Sequence, residues 1–267
     1  MELKAEAAQR LRGKVAVVTG GAGPNSIGRS ICLRFAAEGA KVAVADIFAD
    51  GAAAVAKEIT DAGGEAIAVT TDVRDLAACE AMAKQAAEAF GGKIDILVNN
   101  AAAFRGVMTA WKPFDEWTPE EWDQMHSVNL RGQWFCARAV FPYMKPQGYG
   151  KIINIGSSSF FEGIPGFIHY ISSKGGVIGF TRGLGKELGE FGIRVNTIAP
   201  GFALTEAALG LAGSDPEFIG IRRNAQALKE RNVMPDDLAG PAVFLASEDS
   251  DMITCQTLQV EGGGAMW

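Results

Sequence analysis

Seven short apolar runs, rich in β-branched residues and separated by stretches of helical periodicity, set the strongest constraint on how this chain folds. The runs are Val15–Val18, Val42–Ala45, Ala66–Val69, Ile94–Val98, Ile152–Ile155, Val195–Ile198 and Thr257–Val260. Apolar residues at consecutive positions require both faces of each strand to be covered, as happens when helices flank a sheet on both sides. The helical stretches between them are Ile27–Glu38, Asp50–Ala62, Leu76–Phe90, Pro119–Met144, Ile168–Glu190 and Asp236–Ala246. Within the fourth, Thr118-Pro119-Glu120-Glu121 reads as an N-cap, a first-turn proline and a capping-box glutamate. Strand–helix alternation of this kind predicts an α/β fold, a doubly wound parallel sheet with right-handed crossovers. No linker, repeat or charge block divides the chain, so residues 14–267 are expected to form one domain behind an N-terminal extension, residues 1–13.

Composition narrows the function classes. The 267 residues carry 25 Lys plus Arg against 31 Asp plus Glu, a net charge of −6. That balance speaks against nucleic-acid or anionic-membrane partners. No apolar run approaches the roughly 20 residues needed to span a bilayer, and the first ten residues lack the apolar core of a secretory signal. Cys32, Cys79, Cys136 and Cys255 are widely spaced, which favours buried thiols over a disulfide framework or a metal site. A cytoplasmic protein without a metal is the expectation. The 33 glycines, about 12% against a usual 7%, imply many tight turns and close backbone approaches.

Two constellations carry chemistry. After the first strand comes Thr19-Gly20-Gly21-Ala22-Gly23-Pro24-Asn25-Ser26-Ile27-Gly28, opening a helix. Such a turn lets backbone approach a pyrophosphate whose charge the helix N-terminus favours. Asp46 ends the second strand, 18 residues after Gly28, where an acidic side chain can bond the ribose hydroxyls of an adenosine. An ordinary turn followed by a surface aspartate is the bland alternative, and the joint spacing makes it the weaker one. Tyr170 and Lys174 lie four apart on a helical stretch and so share a face. An ammonium beside a phenol favours the phenolate, which would make Tyr170 a general acid/base. A Tyr/Lys pair at this spacing is, taken alone, usually only a helix face. His169 is a rival titrating group, but its side chain points about 100° away on the helix and is expected to be structural or pocket-lining.

Read together, the Thr-Gly turn, Asp46, Asp72-Val73, Asn99-Asn100-Ala101, Asn129, Ser157, Tyr170-x-x-x-Lys174 and Pro200-Gly201 follow the order found in the short-chain dehydrogenase/reductase family. The chain resembles that family from residue 14 to about 263, and the resemblance implies a Rossmann-type dinucleotide-binding domain. It implies that Ser157 bonds the substrate oxygen, Tyr170 moves its proton, Lys174 holds the nicotinamide ribose and tunes Tyr170, and Asn129 holds a relay water. Ser158 and Ser159 compete with Ser157, which stands at the family's spacing of 13 residues before Tyr170. The resemblance also assigns cofactor contacts to Gly20, Ser26, Ile27, Gly28, Asp72, Val73, Asn99, Ala101, Pro200, Gly201 and Thr205, besides Tyr170 and Lys174. Relatives in this family are commonly tetramers, so a homotetramer is implied.

The turn departs from the family pattern. It is two residues longer, with Ser26 in place of a middle glycine. Ala102 replaces a glycine after Asn-Asn-Ala, and Cys255 replaces one in the tail. A lengthened turn ending in Ser-Ile also resembles enoyl reductases, but those space their tyrosine and lysine more widely. Two irregular segments, Ala103–Phe114 and Phe202–Asn232, lie where substrate lids are expected. Phe104, Ser158, Phe161, Phe167 and Phe202 are the candidate pocket residues, with Trp111, Phe160 and Ile164 nearby. Their aromatic character points to an apolar, aryl or cyclic secondary alcohol or ketone, turned over with NAD. The competing readings are a 3-oxoacyl-thioester reductase of fatty-acid synthesis and a nucleotide-sensing protein without catalysis.

Overall fold

A computed structural model describes residues 9–103, 111–211 and 215–265. Its strands are β1 (Val15–Thr19), β2 (Lys41–Asp46), β3 (Glu65–Thr70), β4 (Ile96–Asn99), β5 (Gly150–Ile155), β6 (Ile193–Pro200) and β7 (Thr257–Val260). They form one sheet in the order β3-β2-β1-β4-β5-β6-β7, every pair parallel. The helices are α1 (Ile27–Ala37), α2 (Ala49–Asp61), α3 (Leu76–Ala89), α4 (Pro119–His126), α5 (Gly132–Gln147), α6 (Ser159–Glu162), α7 (Ile168–Leu188), α8 (Glu206–Leu211), α9 (Pro216–Ala225) and α10 (Ala239–Ala246). The doubly wound fold expected from the alternation is the fold observed.

Period-two geometry explains why the strands are apolar throughout. In β1, Ala16 and Val18 face a core shared with Ile31 and Phe35 of α1, Val55 and Ile59 of α2 and Leu245 of α10. Val15 and Val17 face the opposite core, with Met82 of α3, Val140 and Met144 of α5 and Leu188 of α7. Two cores clamp one sheet. Leu11, placed with the extension by sequence, is fully buried in the first core. Arg10 reinforces that attachment through Glu38, which also bonds Arg34. The domain therefore begins before residue 14.

The stretch Pro119–Met144 is helical throughout but not uniformly α. Residues Ser127–Arg131 form a π-turn between α4 and α5, a widened turn that accommodates one extra residue. Asn129 sits in it, its Oδ1 accepting from Ala103 N at 2.8 Å and its Nδ2 donating to Ser173 Oγ at 3.0 Å. Those bonds tie the widened turn to the segment after β4 and to α7. The segment Phe202–Asn232 is also more regular than expected, since it contains α8 and α9. Asp215 caps α9 and Pro216 occupies its first turn, a start signal that the sequence does carry.

Cys255 adopts φ 62°, the left-handed region that favours glycine. Its N–H donates to Val195 O at 2.7 Å, which fixes the conformation. A side chain there costs roughly 1–2 kcal/mol. Cys255→Gly is therefore expected to raise stability by about 1 kcal/mol after the added unfolded-state entropy, whereas Cys255→Ala is not. Denaturant midpoints of the two variants check this; equal midpoints would remove backbone strain as the explanation.

Candidate active site

The order reversal between β1 and β4 opens a crevice at the carboxyl ends of the strands, where open α/β sheets bind ligands. A cavity of about 770 Å³ occupies it, running from Asp46 and Asp72 to Tyr170 and Phe218.

At one end lies the glycine-rich turn. Gly20 has φ +71°, and a Cβ there would stand 2.8 Å from Ala101 Cα and from Asn100 Nδ2. Only a residue without a side chain lets β1 and β4 exits meet this closely. Gly28 is not on the cavity wall: a Cβ on it would strike Gly20 O, so its task is to seat α1 against the turn. Ser26 caps α1, its Oγ accepting from Arg29 N at 3.2 Å, and lines the cavity with Ile27. Asn100, rather than Asn99, braces the turn, donating to Thr19 O at 3.0 Å and Gly20 O at 2.8 Å. The expected cofactor contact at Asn99 is not where the structure puts that side chain. Asn99 is buried inside the sheet and donates to Asn154 Oδ1 at 2.9 Å, so it joins β4 to β5. Ala101 does line the cavity.

Asp46 reaches the cavity from the end of β2. Its Oδ2 accepts from Ala22 N at 2.9 Å and its Oδ1 from Phe48 N at 3.0 Å. Asp72 and Val73 line the same end. Arg74 forks onto Asp72, with Nη2 to Oδ2 at 2.6 Å, and holds that carboxyl below the usual carboxylate range. Arg74 is the cation that sequence reasoning missed here. Arg29, the nearby cation by sequence, is engaged by Glu58 instead.

At the other end, Ser157 Oγ lies 2.8 Å from Ser159 Oγ, and Ser157 stands beside the Tyr170 phenol. Ser158, which also lines the cavity, donates to Glu162 Oε1 at 2.7 Å. Lys174 is buried, donates to Ile155 O at 2.8 Å, and has its Nζ 5.7 Å from the Tyr170 ring centre. Burial lowers the Lys174 ammonium to about 8. Burial also raises the Tyr170 phenol, with the neighbouring Ser157 opposing it. Without a cofactor, desolvation is the largest influence on both groups, and it opposes the lowering of Tyr170 expected from Lys174. Asn129 stands behind this pair, not on the cavity, and its side-chain amide is spent on Ala103, Ser173 and Met125. His169 is fully buried and stacks on Trp117 with ring centres 3.7 Å apart.

Pro200, Gly201 and Thr205 line the cavity beyond β6. An aromatic wall follows: Trp111 meets Phe167 at 3.9 Å between centroids and Phe218 at 6.3 Å, and Phe218 meets Phe202 edge-on at 5.4 Å. Phe167, Phe202 and Ser158 are where sequence placed them. Phe161 is not; it packs on Phe160, away from the cavity lining. Phe104 lies outside the described residues. Phe218 and Arg222 were not singled out by sequence, since a wall built from a segment some fifty residues downstream leaves no local pattern.

These residues fit a dinucleotide. A glycine-rich turn at a capped helix start suits a pyrophosphate, and the carboxylate at the end of β2 suits a ribose. Comparison with known proteins agrees. Residues 20–264 match the family model described as "Enoyl-(Acyl carrier protein) reductase". The subunit BbsD of (2S)-[(R)-hydroxy(phenyl)methyl]succinyl-CoA dehydrogenase from Thauera aromatica is 38% identical, over 96% of this chain and 98% of its own. Galactitol 2-dehydrogenase from Agrobacterium fabrum is 40% identical, over 96% and 99%. The crystal structure of 3-ketoacyl-(acyl-carrier-protein) reductase from Brucella melitensis complexed with NADH superposes with TM-score 0.85 at 34% identity, covering 96% of this chain and all of that one. Solved relatives hold either NADH or NADP. The chain belongs to the short-chain dehydrogenase/reductase family. It is an oxidoreductase that binds a nicotinamide cofactor and acts on a small alcohol or its carbonyl partner. Among the described residues, no helix is long and apolar enough to cross a membrane.

Proposed function

We propose that this protein is an NAD(H)-dependent dehydrogenase of secondary alcohols, or reductase of the matching ketones, whose substrate has an apolar, aryl or cyclic body. The observation that carries this reading is one cavity with the Asp46 carboxylate at its ribose end and the Ser157–Tyr170–Lys174 cluster beside an aromatic wall. When bound, the nicotinamide supplies or accepts the hydride. Ser157 holds the substrate oxygen by a hydrogen bond, and Tyr170 gives that oxygen its proton in reduction or removes it in oxidation. Lys174 holds the nicotinamide ribose and, as a cation, favours the phenolate of Tyr170. Asn129 acts as a positioning residue: through Ser173, which bonds Tyr170 O at 2.7 Å, it fixes the turn of α7 that presents Tyr170. Ser26 and Ile27 would hold the pyrophosphate at the start of α1, Asp72 and Val73 would hold the adenine, and Pro200, Gly201 and Thr205 would hold the carboxamide end. The working unit is a cytoplasmic homotetramer.

A 3-oxoacyl-thioester reductase is the second reading, favoured by the likeness to the Brucella reductase. The aromatic wall offers ring surface that a straight acyl chain does not require. Purified protein assayed with both cofactors against aryl, cyclic, sugar and acyl-thioester substrates separates the two. A clear kcat/KM preference for sugars or acyl thioesters over aryl and cyclic ketones would overturn the first.

Asp46 supports the choice of NAD. A 2′-phosphate beside it would place like charges about 4 Å apart, a repulsion of roughly 4 kcal/mol per charge pair at an effective dielectric near 20. Arg74 pairs with Asp72 through Nε and Nη2, so most of its charge is already neutralised by that carboxylate. Tenfold discrimination needs only about 1.4 kcal/mol. Asp46→Ala is expected to shift the NAD/NADP ratio of kcat/KM at least tenfold towards NADP. Absolute activity with NAD falls too, since the Ala22 and Phe48 N–H groups lose their acceptor. Equal or better kcat/KM with NADP in the unmutated protein would refute the assignment.

A further inference from the structure

The aromatic wall contains one feature that an apolar substrate does not explain. Arg222 lies on α9 four residues after Phe218, so both project from one face of that helix into the cavity. Its guanidinium carbon lies 5.9 Å from the Phe202 ring centre, and its side chain is 21% exposed. Among the described residues it makes one hydrogen bond, Nη2 to Glu162 Oε2 at 2.8 Å. Glu162 takes its second bond from Ser158, the neighbour of Ser157. Most of the guanidinium's N–H donors are thus uncommitted, within a cavity walled by Trp111, Phe167, Phe202 and Phe218.

Keeping a half-buried ion pair at an aromatic wall costs desolvation that apolar residues of the same volume would avoid. A neutral substrate gains nothing from it. A carboxylate does: guanidinium donors match its two oxygens, and low-dielectric walls strengthen the contact. Glu162 can stay in place, since its oxygens are satisfied by Ser158 and by Nη2. The added negative charge of Glu162 disfavours a dianion such as a phosphate ester.

We propose that Arg222 is a specificity-determining residue that anchors a substrate carboxylate, so that the preferred substrate is an aryl or similarly apolar hydroxy acid, or the matching keto acid, ionised at the end remote from the reacting carbon. This rests on reading the cavity as a secondary-alcohol dehydrogenase site. The rival role for the same residues is a latch, in which Glu162 and Arg222 merely hold α9 to α6.

The two roles differ in sign. Aryl ketones of increasing chain length, each ending in a carboxylate or the isosteric primary amide, are titrated calorimetrically into protein saturated with oxidised NAD, where no turnover occurs. At the best length the acid is expected to bind at least tenfold tighter than the amide. Arg222→Met should erase that difference, and Arg222→Lys should retain only part of it. Glu162→Gln should preserve or widen it by removing the competing carboxylate. Absence of an acid preference at every length, its survival in Arg222→Met, or equal losses in Arg222→Met and Glu162→Gln would each overturn the proposal. Reduction of the same ketones with NADH is read separately. Ketones reduced without acid preference refute the anchor alone, and acid preference without reduction of any ketone refutes the dehydrogenase reading while leaving the anchor standing.

Discussion

Tyr170→Phe is expected to lower kcat about 10²–10⁴-fold, the range typical of a general acid/base group, while the dissociation constant for NAD changes little. The substitution removes one oxygen and no ring surface, so packing in α7 and the wall beside Phe167 stays as it is. What is lost is the hydroxyl that stands beside Ser157 and that would exchange a proton with the substrate oxygen. Cofactor binding depends mainly on the turn at Gly20, on Asp46 and on Lys174, none of which the phenol oxygen holds in place. Burial raises the Tyr170 phenol, so alcohol oxidation, which needs the phenolate, should accelerate as pH rises, and that dependence should vanish from the residual activity of the variant. Cofactor fluorescence titration and steady-state rates in both directions check the two halves of the prediction. A rate within a few-fold of the unmutated protein would remove Tyr170 from the chemistry and leave His169 to be reconsidered.

Much of the site was legible because its residues sit at fixed offsets from strand ends. Gly20 and Asp46 follow strands whose apolar runs are unmistakable, and Tyr170 and Lys174 share a helix face by spacing alone. Ser157 could be chosen among three serines by its offset from Tyr170, and it lines the cavity beside that residue. The sequence was silent wherever two distant segments meet. Nothing near Phe218 or Arg222 announces that α9 folds over the cavity. Adjacent asparagines were likewise indistinguishable: strand alternation turns Asn99 into the sheet and leaves Asn100 to brace the turn. The π-turn at Ser127–Arg131 escaped because apolar periodicity reports which face is buried and not how many residues complete each turn. Spacing likewise reveals that Lys174 is a charged neighbour of Tyr170 but not how far water is excluded from both.

That exclusion of water gives the last expectation, which separates stability from activity at one residue. Lys174 is 2% exposed, and burial lowers its ammonium from the ordinary 10.5 to about 8. In the unfolded chain the lysine keeps its proton to about pH 10.5, whereas in the folded protein it releases it near pH 8. Between those values the unfolded state binds more protons, so stability must rise with pH across that window. Below pH 8 both states are protonated and the folded protein bears the full cost, roughly 3 kcal/mol at about 1.4 kcal/mol per pH unit. Lys174→Met removes that cost but leaves Ile155 O without its donor, a loss of about 1 kcal/mol. The cofactor-free variant is therefore expected to be about 2 kcal/mol more stable than the unmutated protein at pH 7, with the advantage shrinking from pH 8 to about 10.5. Its activity should nonetheless fall on the order of 10²-fold or more, because the cation that holds the ribose and favours the Tyr170 phenolate is gone. Denaturant unfolding of both proteins at pH 7 and pH 10 isolates the effect, since every other titrating group is common to the pair. A variant less stable at pH 7, or one whose advantage is the same at pH 10, would show that Lys174 is held at no electrostatic cost. Stability given up at this one lysine is what a site built for proton transfer in a dry cavity requires, because the burial that penalises its charge also strengthens that charge's hold on the phenolate beside it.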